Sequence, residues 1–286
     1  MTASRPLVLL LHSSASSARQ WDSLVAQLEP RFRVHALDLH GHGKRSAWRG
    51  PGSPMLADEA ALALAPLLEH GGRAHVVGHS YGGAVALKLA TIAPGLVRSV
   101  LAYEPVLFRW VFSDGGMHGP ARDVLATVEF MAERFERGDS AGAARRFVEF
   151  WSGTGAWDAL PAGAQQKIVE RMAAVRAQFD ALFHDPLGPA QLLRAGVPLT
   201  FLSGAETVAV TRRLAELYRL ALPRARHEVL AGMGHMGPIT HAAAVNARIV
   251  EHLEAHAVSA PARPSSRPNP PAARLGHGCA RTSTPA

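Results

Sequence analysis

Residues 74–90 read AHVVGHSYGGAVALKLA. An apolar run, Ala74–Val77, stops at Gly78-His79-Ser80-Tyr81-Gly82-Gly83, and an Ala/Leu pattern of helical period follows. Gly-x-Ser-x-Gly between a strand and a helix holds a serine in a strained turn with its Oγ clear of the sheet, the glycines leaving room for it. A plain glycine turn would use the same glycines, but the flanks make Ser80 a candidate nucleophile. A serine hydroxyl attacks only when a base takes its proton. Among the 15 histidines, His12, His35, His40, His42, His75 and His79 lie by strands or loops, where packing or solvation accounts for them. His235, in LAGMGHMGPITH, follows the last predicted strand in a glycine-flanked loop and is the candidate base. His241, one turn into the next predicted helix, is expected to be exposed.

The elements that must position these residues alternate along the chain. Predicted strands are Leu7–Leu11, Arg33–Leu37, Ala74–Val77, Ser99–Tyr103, Leu199–Leu202 and His227–Leu230. Predicted helices are Arg19–Leu28, Leu56–Glu69, Gly83–Thr91, Val210–Ala221 and Thr240–His256. This alternation implies an α/β fold, a three-layer sandwich with a mostly parallel sheet of about six strands. Ligands of such sheets bind at the carboxyl ends of the strands. From Val106 to about Gln191 no strand is predicted; Val124, Val128, Met131 and Phe135 share one helix face, as do Ile168, Met172, Val175, Phe179 and Leu182. Residues 106–189 are therefore expected to form a helical cap on a core of 1–105 and 190–257. Phe147, Phe150 and Trp151 are candidate pocket liners. Residues 258–286, rich in Pro, Ser, Ala and Arg, cannot bury enough apolar surface to order and are expected to be disordered.

Composition narrows the function classes. The hydrophobic fraction of 48% describes a globular chain with a sizeable core. The early apolar run Leu7–Leu11 is too short for a membrane span and lacks a cleavage site, so neither a membrane segment nor a signal peptide is expected. The net charge is +7, but Arg263, Arg267, Arg274 and Arg281 in the acid-free tail account for four of those charges. The body carries no basic cluster interleaved with aromatics, so no nucleic-acid partner is expected. The single Cys279 lies in the same tail and forms no intrachain disulfide. The expected location is the cytoplasm.

Four ordered motifs together resemble the α/β-hydrolase superfamily over about residues 6–257, and within it small capped serine hydrolases and cofactor-free haloperoxidase-like proteins. LLLHSSASSARQW resembles the oxyanion segment, ALDLHGHGKRS the glycine loop, GHSYGG the nucleophile turn and GMGHMGP the histidine loop. Ser13 stands where the family usually has glycine after His12, and the chain starts at its first parallel strand without the additional hairpin of many members. The resemblance implies an anion site formed by the backbone N–H groups of Ser14 and Tyr81.

It also implies a carboxylate that orients the histidine. The family's usual position for it falls on Thr207 in LTFLSGAETVAV, which cannot serve. Glu206 is one residue early. Glu104, in LAYEPVLF directly after the fourth strand, is favoured because its strand should neighbour the one carrying Ser80. Asp38 is expected to be a structural acceptor and Asp185, before Pro186, a turn former. Such a Ser-His-acid set supports hydrolysis of a small, mainly hydrophobic ester or lactone through an acyl-enzyme, without cofactor or metal. Hydrolysis of carbon–carbon bonds in ring-cleavage products and non-catalytic small-ligand binding remain the alternatives. The expected partner is a small-molecule substrate; the sequence assigns no oligomeric state.

Overall fold

The computed structural model describes residues 5–113 and 119–257. The tail expected at 258–286, with Cys279, lies outside them. In chain order the elements are β1 (Leu7–Leu11), α1 (Asp22–Leu28), β2 (Arg33–Leu37), α2 (Leu56–His70), β3 (Ala74–His79), α3 (Tyr81–Ile92) and β4 (Val97–Tyr103). Helices α4 (Phe108–Phe112), α5 (Gly119–Glu136), α6 (Ser140–Ser152), α7 (Ala162–His184) and α8 (Pro189–Ala195) follow without a strand between them. Then come β5 (Leu199–Gly204), α9 (Ala209–Ala221), β6 (Arg226–Leu230), α10 (Gly237–Thr240) and α11 (Ala242–Ala255).

Six parallel strands form one sheet in the order β2-β1-β3-β4-β5-β6. Alternation within β1 distributes its side chains to both faces. Leu7, Leu9 and Leu11 join the larger core with α2, α3 and α9, whereas Val8 and Leu10 join a second core with α1 and α11. The result is a three-layer sandwich. The chain leaves β1 outward to β2 and returns to β3 on the other side of β1. The loops after β1 and β3 therefore flank the crevice where strand order reverses, the natural ligand position of such sheets.

Several boundaries differ from expectation. β3 continues through His79 and α3 starts at Tyr81, so Ser80 alone separates strand from helix. The glycines there make room for neighbouring backbone rather than breaking structure. The helix expected from Arg19 begins as a 3-10 turn, Ala18–Trp21, before α1. The helix expected over Thr240–His256 breaks at His241, whose φ of −129° leaves helical geometry between α10 and α11. Asp185 makes the expected turn by accepting from the Leu187 N–H at 2.9 Å, and it also pairs with buried Lys88 of α3 at 3.0 Å. Asp38 accepts from the N–H groups of Ala18 and Lys44, as a structural acceptor should. No helix among the described residues is long and apolar enough to cross a membrane.

Several histidines are sealed in the core as neutral rings. Burial pushes His12 down to about 3, His42 to about 4, His75 to about 4 and His252 to about 3, from an ordinary 6.5. Below 6.5 the unfolded chain binds protons that the folded chain refuses, so each ring removes about 1.4 kcal/mol of stability per pH unit on the way down to its folded value. Buried Glu59, raised by burial to about 7, acts in the opposite sense but is a single group. Stability should therefore be full above pH 6.5 and fall steeply from there toward 4. Calorimetric melting across that window checks this; a flat profile would contradict it.

Candidate active site

Ser80 sits at φ 55° and ψ −118°, a conformation costing about 1–3 kcal/mol for a residue with a Cβ. It is held there by its own backbone: its N–H donates to the Tyr103 carbonyl at 2.9 Å, and its carbonyl accepts from Ala84 N–H at 3.1 Å. The two glycines of the motif serve space. A Cβ on Gly78 would lie 2.3 Å from the Gly82 carbonyl oxygen, and one on Gly82 would lie 2.4 Å from the carbonyl oxygens of Leu11 and His12. The turn is thereby pressed against the end of β1.

His235, from the loop after β6, approaches Ser80 with Nε2 2.9 Å from Oγ. Its Nδ1 lies 2.7 Å from Oε2 of Glu104, at the end of β4. Both side chains are buried, and the ring's tautomer follows from its partners: Nδ1–H donates to the carboxylate, leaving Nε2 to accept from the hydroxyl. Glu104 is itself fully satisfied. Gly204 N–H donates to Oε1 at 2.8 Å, and the Thr207 hydroxyl donates to Oε2 at 2.7 Å. Thr207, at the position where a carboxylate was sought and missed, thus supports the carboxylate from the neighbouring strand. Glu206 is exposed; its N–H donates to the Met233 carbonyl. His241 is exposed, as anticipated.

The loop after β1 supplies Ser14 to the same cavity as Ser80. Ala15, at φ 58°, is pinned on both sides: its N–H donates to His42 Nε2 at 3.1 Å, and its carbonyl accepts from Arg171 of α7 at 2.8 Å. Gln20 Oε1 accepts from Ser13 N–H and hydroxyl, while its amide donates to His79 Nδ1 at 3.1 Å. His79 in turn donates from Nε2 to the His235 carbonyl at 2.8 Å. Burial holds His79 well below its ordinary value, in keeping with this neutral bridging role. Tyr81 opens α3, where first-turn N–H groups have no intrahelical partner; its own side chain is fully buried.

The cavity beside Ser80 encloses about 900 Å³ including its open mouth. Phe147, Val148 and Trp151 of α6, Leu160, and Met236 and Ile239 beyond the histidine give it an apolar lining. Trp151 stacks on the His235 ring with centroids 4.0 Å apart at 25°. Of the expected liners, Phe147 and Trp151 reach the cavity, whereas Phe150 packs edge-on against Trp151 at 4.8 Å and supports it from behind. Among the described residues no group of three or more His, Cys, Asp or Glu side chains could hold a metal ion.

Comparison with known proteins gives the family. Residues 8–248 match the family model described as the alpha/beta hydrolase family. The chain belongs to that family. It is 44% identical to Esterase Rv0045c of Mycobacterium tuberculosis over 106 residues, 35% of this chain and 33% of that protein, so the match spans a third of the relative. It is 29% identical to a pimeloyl-[acyl-carrier protein] methyl ester esterase of Edwardsiella ictaluri over 262 residues, 88% of this chain and 94% of that one. The enol-lactonase from Burkholderia xenovorans LB400 superposes with a TM-score of 0.71 at 21% identity, covering 88% of this chain and 92% of that one. That last likeness speaks for the fold.

Within this alpha/beta hydrolase, sequence reasoning missed three contributors: the Gln20–His79 bridge, the Thr207 hydroxyl and the Trp151 stack. Each depends on contacts more than 50 residues apart in the chain, and the one local hint was His79 immediately before the serine. Thr207→Val should destabilise the fold by about 1–3 kcal/mol, because a buried carboxylate oxygen loses a donor. Gly82→Ala should cost at least as much by forcing the turn off β1. Denaturant unfolding measures both, and a loss under about 0.5 kcal/mol in either would contradict these assignments.

Proposed function

We propose that this chain is a serine hydrolase that cleaves a small, mainly hydrophobic ester or lactone through an acyl-enzyme. The observation that carries this reading is the unbroken run of hydrogen bonds from Glu104 through His235 to Ser80, ending at an apolar cavity. Ser80 Oγ attacks the substrate carbonyl while His235 Nε2 takes its proton. Glu104 holds the ring and stabilises the imidazolium. The backbone N–H groups of Ser14 and Tyr81 donate to the oxyanion, the second with the partial positive charge of the α3 N-terminus behind it. The imidazolium then protonates the departing alcohol. Water enters, gives its proton to His235 and attacks the acyl-serine, releasing the acid and restoring Ser80. The helices of 106–189 act as a cap that supplies the apolar walls and the Trp151 stack. The names of the curated relatives, both esterases, support the ester as the bond cleaved.

Intact-mass labelling with a fluorophosphonate tests this. Wild type should take one adduct and Ser80→Ala none. Glu104→Gln should label about 10³–10⁴-fold more slowly, since the ring loses its ionised partner. Glu206→Gln should label at the wild-type rate. Folded wild-type protein that takes no adduct would overturn the reading and leave a non-catalytic ligand-binding role.

A further inference from the structure

The cavity carries two cations on one wall, Arg171, which also holds the Ala15 carbonyl, and Lys167, exposed at the surface. Lys167 and Arg171 lie one turn apart on α7, and both line the cavity that Ser80 lines. Their helix neighbours on that wall, Ala164 and Ile168, are apolar, and no carboxylate lines the cavity. Like charges four residues apart on a helix repel, so helix stability does not explain the pair. Burial does not favour Arg171 there either, since desolvation depresses this half-buried guanidinium, whereas Lys167 is exposed. Among the described residues no carboxylate lies within ion-pair distance of either cation. The acids whose field reaches Arg171 are Asp38 and Glu170. Asp38 is already committed, its two oxygens accepting from Ala18 and Lys44 N–H groups. Arg171 donates from Nη1 to the Ala15 carbonyl at 2.8 Å. A guanidinium has five N–H donors, and this bond uses one while fixing the group beside the loop that carries Ser14.

We propose that Arg171 and Lys167 form an anion subsite for a carboxylate on the substrate. The substrate class is then an ester or lactone whose apolar middle fills the Phe147, Trp151 and Ile168 walls, with an acid group remote from the scissile bond. This rests on Ser80 acting as the nucleophile. The carboxylate takes no part in the chemistry: water still adds across the ester and the alcohol still leaves. It is bound by charge-assisted hydrogen bonds, for which the planar fork of Arg171 is suited.

The test uses pairs of probes matched in length: monomethyl esters of linear dicarboxylic acids, and the same methyl esters with the free acid replaced by a carboxamide. For wild type, kcat/KM should favour the acid by about tenfold or more, mainly through KM. Raising the salt concentration should shrink that preference. Arg171→Met and Lys167→Met should each reduce the acid-to-amide ratio, and Arg171→Lys should restore part of it. The ratio is read within each protein, so a partly unfolded variant does not imitate the result. A wild-type ratio near one overturns the subsite while leaving the hydrolase reading intact. So does a ratio unchanged in Arg171→Met with both rates lowered, which would make Arg171 a support for Ala15 alone. Absence of any ester turnover together with absence of a fluorophosphonate adduct overturns both readings.

Discussion

A carboxylate buried beside an imidazole must have its lone pairs matched, because an unpaired ionised oxygen in the interior costs several kcal/mol. Glu104 meets that condition with donors from three parts of the chain: Gly204 at the end of β5, Thr207 just before α9, and His235 beyond β6. Satisfying one side chain therefore draws the ends of β4 and β5 and the loop after β6 to a common point. The strand order makes this feasible, since β4 pairs with β3 on one side and β5 on the other. Ser80 at the end of β3 then falls on the open side of the same imidazole.

Strain collects where that convergence occurs. Among the described residues, the non-glycine residues with positive φ are Ala15, Ser80 and Glu104. Each is held by bonds that an ordinary loop would lack. Ser80 and Glu104 donate their N–H groups to the Tyr103 and Leu202 carbonyls, continuing the sheet's ladder past the strand ends. Ala15 is gripped between His42 and Arg171. Rigid parallel strands and a buried core absorb the cost, and loops alone could not hold these angles.

The buried histidines divide by their partners. His12 accepts from Leu39 N–H and donates to Ser13 O; His42 accepts from Ala15 N–H and donates to His40 O. Such rings work as neutral bifunctional struts, one nitrogen giving and the other receiving. His79 is a strut of the same kind, and it links the loop after β1 to the loop after β6 through Gln20. His235 differs in chemistry rather than in burial. A carboxylate lies at one nitrogen and a hydroxyl at the other.

The features legible from sequence were local ones. Strand and helix periods, the glycine-flanked serine and the glycine-flanked histidine are written in residues a few positions apart, because steric fit in a turn and facing in an element are decided by neighbours along the chain. The parallel sheet and the loops facing its carboxyl edge followed from that alternation. The sequence left two carboxylates open, and their choice required the sheet: Glu104 reaches His235 because β4 lies between β3 and β5, while Glu206 turns to solvent. Trp151 on the imidazole, Gln20 on His79 and Arg171 on Ala15 were equally out of reach. Their energies are those of packing, hydrogen bonding and desolvation between distant segments, and those terms exist only once the chain has closed around them.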